Sequence, residues 1–173
     1  LKNLVKTAKN EGKKSVVVTF FPHPRMVLEK NSSIKLLNTL DEKIALLKIL
    51  GIDLLYIIPF SHELANLSAN DVIPEILVKQ PNTKSLYIGF DHLFGKYRAG
   101  NFNLLKEKGK IYDFTVNEIK ALSILEIKIS STKIRKSLIE GAILKANQFL
   151  GYNYFLSEMI IKKKNIGEQI SFP

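Results

Sequence analysis

Residues 15–25 read Ser-Val-Val-Val-Thr-Phe-Phe-Pro-His-Pro-Arg, and this stretch decides the fold class. Its first half is β-branched and aromatic with no alternating polar face, which is typical of a strand covered on both sides in a parallel sheet. Its second half holds two prolines, so neither a helix nor a strand ladder is expected through Phe21–Arg25. The stretch therefore predicts a buried strand that leads directly into a rigid loop carrying a histidine and an arginine.

The same alternation of helices, buried strands and polar loops continues on both sides of this stretch. Strands that alternate with helices at this spacing predict βαβ units, and hence an α/β fold with about five mostly parallel strands. The predicted elements are a helix through Leu1, Leu4, Val5 and Ala8 that stops at Gly12, a helix from the capping box Thr39–Glu42 to Gly51, strands at 54–58 and 85–88, a helix from Ser68 with an irregular start near Pro74, a short helix around Leu104, strands at 112–116 and 124–129, and helices that end at Gly141 and Gly151.

The chain has 173 residues, 26 Lys and Arg against 16 Asp and Glu, and no cysteine. This length can bury a core, and the lack of cysteine excludes disulfides, thiolate zinc sites and cysteine nucleophiles. The net charge of +10 would suit a nucleic-acid partner, but the lysines are scattered, so we favour solvated lysine faces. No apolar run approaches the roughly 20 residues of a membrane span. We expect a cytoplasmic monomer or weak oligomer with no nucleic-acid or membrane partner.

Only three of the cations are arginine, and each lies in a loop that follows a predicted strand: Arg25, Arg98 and Arg135. In parallel sheets, ligands bind beyond the carboxyl ends of the strands. Arginine offers a fixed fork that binds two phosphate oxygens at once, which lysine cannot do. The loops 21–25, 89–100 and 130–135 are therefore the candidate functional site.

The stretch Ser130-Ser131-Thr132-Lys133-Ile134-Arg135 places three hydroxyls and two cations at the start of a helix. Hydroxyls, unpaired backbone N–H groups and the positive end of the helix dipole together suit a phosphate. An ordinary N-cap explains the same residues, because serine and threonine are common there.

The loop from Gly89 to Gly100 contains three glycines, which permit close backbone approach to a ligand, and its Asp91 is suited to hold a ribose hydroxyl or orient a nucleotide. An ordinary surface loop is the alternative. His23 lies between two prolines, where a purely structural histidine is the alternative. The three histidines show no metal-ligand spacing, and there is neither a P-loop nor a Gly-x-Gly-x-x-Gly motif.

Four segments, Thr19–Arg25, Leu37–Lys43, Gly89–Gly100 and Ile129–Arg135, together resemble the adenylyltransferase domain of bacterial bifunctional riboflavin kinase/FAD synthetases. The segment from Phe60 to Ala69 fits the same pattern, so the resemblance covers nearly the whole chain. It implies a Rossmann-like nucleotidyltransferase domain over residues 1–152. It also implies the reaction of FMN with ATP to FAD and pyrophosphate, with Mg²⁺ accompanying ATP.

The resemblance implies roles for individual residues as well. Ser131, Thr132 and Arg135 would be the catalytic residues and would bind the ATP phosphates while an FMN phosphate oxygen attacks the α-phosphorus in line. Asp91 would also bind ATP. No side chain is expected to bind a metal directly. The flavin side would be formed by Pro22, His23, Pro24, Arg25 and Arg98.

Two parts of the family pattern differ here. The family opens with a strand and a Gly-x-Phe-Asp-Gly-x-His-x-Gly-His stretch whose histidines stabilise the transferring phosphate, and Leu1 matches the position just after it. Residues 153–173 resemble the start of the β-barrel of a riboflavin kinase domain, with Glu168 and Ser171 in place of an arginine and a glycine. We therefore expect a truncated barrel remnant, no riboflavin kinase activity and impaired FAD formation.

Two alternative functions remain open at this point. One is an adenylyltransferase for another phosphorylated acceptor, such as a pantetheine or a nicotinate nucleotide. The other is a non-catalytic basic module that binds nucleic acid, which the net charge of +10 favours. Three arginine-bearing loops at predicted strand ends favour the FMN adenylyltransferase.

Overall fold

The computed structural model describes residues 1–79, 81–89, 91–119, 123–124 and 127–158. Its strands form two parallel pairs and one short antiparallel pair, with helices between them, so the prediction of an α/β fold with parallel strands is confirmed. The elements are α1 Lys2–Asn10, β1 Val16–Phe21, α2 Pro24–Leu28, α3 Leu40–Ile49, β2 Leu54–Pro59, α4 His62–Asn66, α5 Ala69–Val72, a π-helix Ile73–Val78, β3 Ser85–Gly89, a 3-10 turn Lys96–Arg98, α6 Phe102–Tyr112, β4 Thr115–Ile119, β5 Ser123–Ile124, β6 Ile127–Lys128, α7 Ser131–Ile139 and α8 Ile143–Leu150.

Strands β1 and β2 pair from Val16 opposite Leu54 to Phe21 opposite Pro59. Their register is fixed at the amino end, where the backbone N–H and the hydroxyl of the buried Ser15 donate to Asp53 Oδ2 over 2.7 and 2.6 Å. The Asp53 N–H returns a bond of 3.1 Å to Ser15 Oγ. Because these bonds favour the ionised carboxylate, they lower the pKa of Asp53 below its ordinary value.

Strands β3 and β4 pair from Ser85 opposite Thr115 to Gly89 opposite Ile119. A core of four buried side chains, Ile73, Ile88, Leu105 and Phe114, packs against this pair. Leu105 comes from α6, whose first turn is capped by Asn101, the side-chain oxygen of which accepts from the Leu104 N–H over 3.1 Å. The helix therefore covers one face of the β3–β4 pair.

The amino ends of the two parallel pairs lie side by side. A cleft of about 330 Å³ is lined by Lys13, Lys84 and Thr115, which lie just before β1, just before β3 and at the start of β4. The carboxyl ends of the strands, and the loops that follow them, are therefore at the opposite end. Within the described ranges the two pairs share no ladder, so the expected sheet of about five strands is seen as separate pairs.

The prediction that Phe21–Arg25 would exclude helix and strand was wrong. Strand β1 continues to Phe21, His23 is the N-cap of α2, and Pro24 is its first residue. Proline is tolerated there because the missing N–H would have no helical partner, and its fixed φ suits the first turn.

The strand predicted at 112–116 begins three residues later, at Thr115. Tyr112 instead ends α6, and Asp113 takes a left-handed conformation with φ 56° that stops the helix. A Cβ on Gly109 would lie 2.4 Å from the Phe114 carbonyl oxygen, so only glycine allows this tight exit from the helix. Instead of the single strand predicted at 124–129, the described residues there form the two-residue strands β5 and β6, which pair antiparallel with Ile124 opposite Ile127.

Several local predictions are confirmed. The capping box is complete, since Glu42 N–H donates to Thr39 Oγ1 and the Thr39 N–H donates to Glu42 Oε2. The irregularity expected near Pro74 is the π-helix. Helices α7 and α8 end next to Gly141 and Gly151, both with positive φ. No helix in the described part of the chain is long and apolar enough to cross a membrane.

The predicted barrel segment begins at residue 153. Residues 153–158 form neither helix nor strand, and residues 159–173 lie outside the described ranges. This part of the domain prediction therefore stays a prediction.

Replacing Leu105 by alanine should destabilise the chain by about 2–5 kcal/mol, since it leaves a cavity beneath the β3–β4 pair. Leu105 is 1% exposed, whereas Ile111 on the same helix is 68% exposed. Ile111→Ala is therefore the matched control and should change the free energy of unfolding by less than about 0.5 kcal/mol. Urea unfolding followed by circular dichroism measures both. Equal losses in the two variants would contradict the assigned core.

Candidate active site

The loop after β1 is held by contacts within its own short helix. The Nδ1 atom of His23 accepts from the Arg25 N–H over 3.2 Å, which caps α2. The guanidinium of Arg25 pairs with both carboxylate oxygens of Glu29, over 2.7 and 3.1 Å. An anionic ligand that approached Arg25 would therefore compete with Glu29.

The imidazole of His23 lies among cations. Partial burial lowers its pKa, and the positive charges of Arg135, Lys43 and Arg25 lower it further, in that order. Lys43 belongs to α3, and its ammonium donates to Thr19 Oγ1 on β1 over 3.3 Å. The loop after β1, the first turn of α3 and the start of α7 therefore meet around a histidine that is neutral near pH 7.

Helix α7 begins with three hydroxyl residues that have different roles. Ser130 is the N-cap, and its Oγ accepts from the Lys133 N–H over 3.3 Å. Ser131 and Thr132 are the first two residues of the helix and are exposed, and their hydroxyls have no hydrogen-bond partner among the described residues. An N-cap alone therefore accounts for Ser130 and leaves two hydroxyls and the first helical N–H groups open to a ligand.

The guanidinium of Arg135 is anchored on one side. Its Nε donates to the backbone carbonyl of Lys35 over 2.6 Å, and the side chain is half-buried. The two terminal nitrogens have no partner in the part of the chain that the structure describes. The anchored Nε fixes the plane of the fork, and the terminal nitrogens are the pair that can bind two oxygens of one phosphate.

The loop from Gly89 to Gly100 is a tight, docked turn. Phe94 and Gly100 exchange two backbone hydrogen bonds, and the Lys96 N–H donates to the Leu67 carbonyl over 2.8 Å. Gly95 has φ 72°, and a Cβ there would lie 2.6 Å from the Ala69 backbone. These contacts hold the loop against the turn that precedes α5.

The loop is also joined to the segment that leads into α7. Asp91 Oδ2 pairs with Lys128 Nζ over 3.3 Å, and Lys133 Nζ donates to the Lys128 carbonyl over 2.9 Å. Partial burial and then the charge of Arg98 lower the pKa of His92, whose ring stacks on Phe94 at 6.2 Å. Asp91 and Arg98 thus lie on the same loop, beside the start of α7.

The structure brings the three predicted loops together by two links. The first link is the charge of Arg135, which lowers the pKa of His23. The second is the ion pair of Asp91 with Lys128, which precedes the hydroxyl residues 130–132 in the chain. Sequence reasoning missed Lys43, Lys128 and the Lys35 carbonyl as members of the site. Lys43 lies inside the quoted motif Leu37–Lys43, so its residue type was visible, but no pattern identifies a backbone carbonyl as an arginine anchor.

Removing the charge of Arg135 should raise the pKa of His23 toward its ordinary value, because one of the cations that disfavour the imidazolium is lost. Arg135→Gln is the variant and Lys136→Gln, one residue along the same helix, is the control. Proton NMR of the imidazole during a pH titration measures the pKa. A rise in the control, or none in Arg135→Gln, would contradict the proximity of the two loops.

Comparison with known proteins places this arrangement in a family. The FAD synthetase family model matches residues 1–133. The bifunctional riboflavin kinase/FMN adenylyltransferase of Buchnera aphidicola subsp. Schizaphis graminum is 38% identical over 174 residues, which are 100% of this chain and 56% of that protein. The protein of the same name from Listeria monocytogenes serovar 1/2a is 31% identical over 176 residues, which are 100% and 55% of the two chains. The chain thus spans about half the length of the curated relatives it matches.

A solved structure has the same fold. The crystal structure of a macrolide-efflux protein from Streptococcus pneumoniae has a TM-score of 0.83 and 27% identity, and the match covers 99% of this chain and 57% of that one. The name of that protein refers to macrolide efflux, whereas the family model and the curated relatives are named for reactions that form flavin nucleotides. On these matches the predicted resemblance is confirmed, and the chain belongs to the FAD synthetase family, as the domain found in bifunctional riboflavin kinase/FMN adenylyltransferases.

Proposed function

We propose that this domain transfers the adenylyl group of ATP to FMN and so forms FAD and pyrophosphate. The observation that carries the proposal is that the half-anchored Arg135 follows Thr132 and Ser131, whose hydroxyls are open, at helical i+3 and i+4 spacing and so on the same face of α7. A chain of phosphates would find three kinds of donor at the start of this helix. These are the two terminal nitrogens of a guanidinium, the hydroxyls and the unpaired helical N–H groups.

The reaction needs charge stabilisation and positioning rather than a covalent nucleophile. An FMN phosphate oxygen attacks the α-phosphorus of ATP, the bond from that phosphorus to the β-phosphate oxygen breaks, and pyrophosphate leaves with the charge. The terminal nitrogens of Arg135 and the hydroxyls of Ser131 and Thr132 would stabilise this charge.

The flavin side is proposed around Pro22–Arg25 and Arg98, and the nucleotide side around Asp91. In support, His23 lies within electrostatic reach of Arg135, and Asp91 shares its loop with Arg98. Arg25 would serve FMN only by releasing Glu29, so Arg98, which has no ion pair among the described residues, is the stronger candidate for the FMN phosphate.

Mg²⁺ enters the proposal as the ion carried by the ATP phosphates. Within the described ranges no three acidic or histidine side chains come together. In the sequence of the three loops Asp91 is the only carboxylate, and it is paired with Lys128. When bound, Mg²⁺ would neutralise phosphate charge, and the site's own cations would do so from the protein side.

The wider predictions stand as part of the same proposal. Residues 1–152 would form the FMN adenylyltransferase domain, and residues 153–173 would begin the riboflavin kinase barrel of a cytoplasmic, monomeric or weakly oligomeric enzyme.

Calorimetry with FMN, FAD, a pantetheine phosphate and a nicotinate nucleotide distinguishes the acceptors. Binding of either of the last two without FMN or FAD would support the alternative adenylyltransferase, and tight RNA binding with a steep salt dependence would support the nucleic-acid module.

Arg135→Lys should weaken ATP binding about ten- to a hundred-fold, because an ammonium cannot replace a two-pronged phosphate contact. Arg25→Lys and Arg98→Lys are the controls and should change the ATP dissociation constant less. Isothermal titration with ATP and Mg²⁺ measures all three variants. An unchanged dissociation constant in Arg135→Lys would mean that the start of α7 is only a cap.

A further inference from the structure

The tip of the loop from Gly89 to Gly100 holds an unusual tyrosine. Tyr97 is 90% exposed, and its φ of 56° is in the left-handed region. Arg98 follows with φ 58°, so two consecutive residues with side chains occupy a conformation that normally belongs to glycine. The conformation is unfavourable for both residues.

The side chain of Tyr97 contributes little to the stability of the fold. A side chain this exposed buries almost no apolar surface. Its contact within the described residues is with the Lys96 ammonium, 5.3 Å from the ring centroid, which covers one face and leaves the other to solvent. Glycine or asparagine at this position would take the same backbone without the cost. Strain that packing does not require points to function.

The backbone that carries this ring is held by hydrogen bonds. The Phe94–Gly100 pair closes the turn at its base, the Lys96 N–H is bonded to the Leu67 carbonyl, and the Arg98 N–H donates to the Gly95 carbonyl over 3.0 Å. The charge of Arg98 reaches His92, the residue after Asp91. Tyr97 thus lies on a loop whose backbone is hydrogen-bonded, and the same loop carries Asp91 and Arg98, which are proposed to bind substrate.

We propose that Tyr97 is a stacking platform for the isoalloxazine ring of FMN, an inference that rests on the proposed function. A flat aromatic face stacks on the planar rings of nucleotides. The residue before the ring, Lys96, is a hydrogen-bond donor and a cation. It matches the carbonyl oxygens on the pyrimidine edge of a flavin better than the amino group of adenine, which is itself a donor.

The test uses three variants of the chain. Tyr97→Gly removes the ring and relaxes the backbone, Tyr97→Leu removes the ring and keeps the strain, and Tyr97→Phe keeps the ring. Asn82→Gly is the matched control, because Asn82 also has a positive φ, 44°, and lies outside the three loops. The probes are FMN, followed by its own fluorescence, and ATP with Mg²⁺, followed by calorimetry.

The glycine and leucine variants should raise the FMN dissociation constant about ten-fold, the lower part of the range for loss of one stacked ring. The phenylalanine variant and Asn82→Gly should stay within about two-fold, and ATP binding should not change. Bound FMN should be more fluorescent in the two variants without the ring, since a stacked tyrosine quenches the flavin. The melting temperature of Tyr97→Gly should equal or exceed that of the parent chain, so misfolding does not explain the loss.

Three other results would contradict the proposal that the Tyr97 ring stacks on the flavin. FMN binding that is unchanged in Tyr97→Gly and Tyr97→Leu would overturn it and leave the proposed function in place. Weakening of ATP instead of FMN would mean that the ring serves adenine and would overturn the flavin assignment. Absence of FMN and FAD binding in the parent chain would overturn the proposed function, and the platform with it.

Discussion

Parallel pairing is the constraint on which the site depends. Because β1 runs parallel to β2, and β3 to β4, each pair sends its carboxyl ends and the loops after them to one end of the domain. The amino ends are gathered at the other end, around Lys13, Lys84 and Thr115. Residues more than 100 positions apart, such as His23 and Arg135, can then act on one another. The direction of the strands therefore brings these loops to one end of the domain, whatever side chains the loops carry.

The positive charges at that end are arranged differently from those on the rest of this strongly basic chain. Most lysines are dispersed, and several are already engaged, as Lys84 is with Asp113. Around His23, by contrast, partial burial and then the charges of Arg135, Lys43 and Arg25 lower the pKa of one imidazole. The nearby carboxylates Glu29 and Asp91 each have a cationic partner. The surplus of positive charge is thus local, which suits phosphate groups more than a general polyanion.

Sequence reasoning predicted the features that depend on local chemistry. The strand at Val16–Phe20, which is half-buried rather than buried as predicted, the capping box at Thr39–Glu42 and the hydroxyl-rich start of α7 are all encoded by neighbouring residues. It failed at α2, because the rule against proline in helices has its exception at the first position, and at Tyr112, because an aromatic residue near a helix end resembles a strand. It could not find the Lys35 carbonyl, since every residue has one. Tertiary contact alone selects it as the anchor of Arg135.

That anchor makes the orientation of Arg135 depend on the whole segment between α2 and α3. The carbonyl of Lys35, within this segment, accepts from the guanidinium, and the buried Glu42 in the first turn of α3 accepts from the N–H groups of Thr39 and of Ser157. The Tyr152 hydroxyl donates to Asn38 between them. The stretch 152–157, which follows α8, is therefore bonded to the same segment that orients Arg135. Because a buried carboxylate that loses one donor is costly, Glu42 couples the position of this stretch to the orientation of the Arg135 guanidinium.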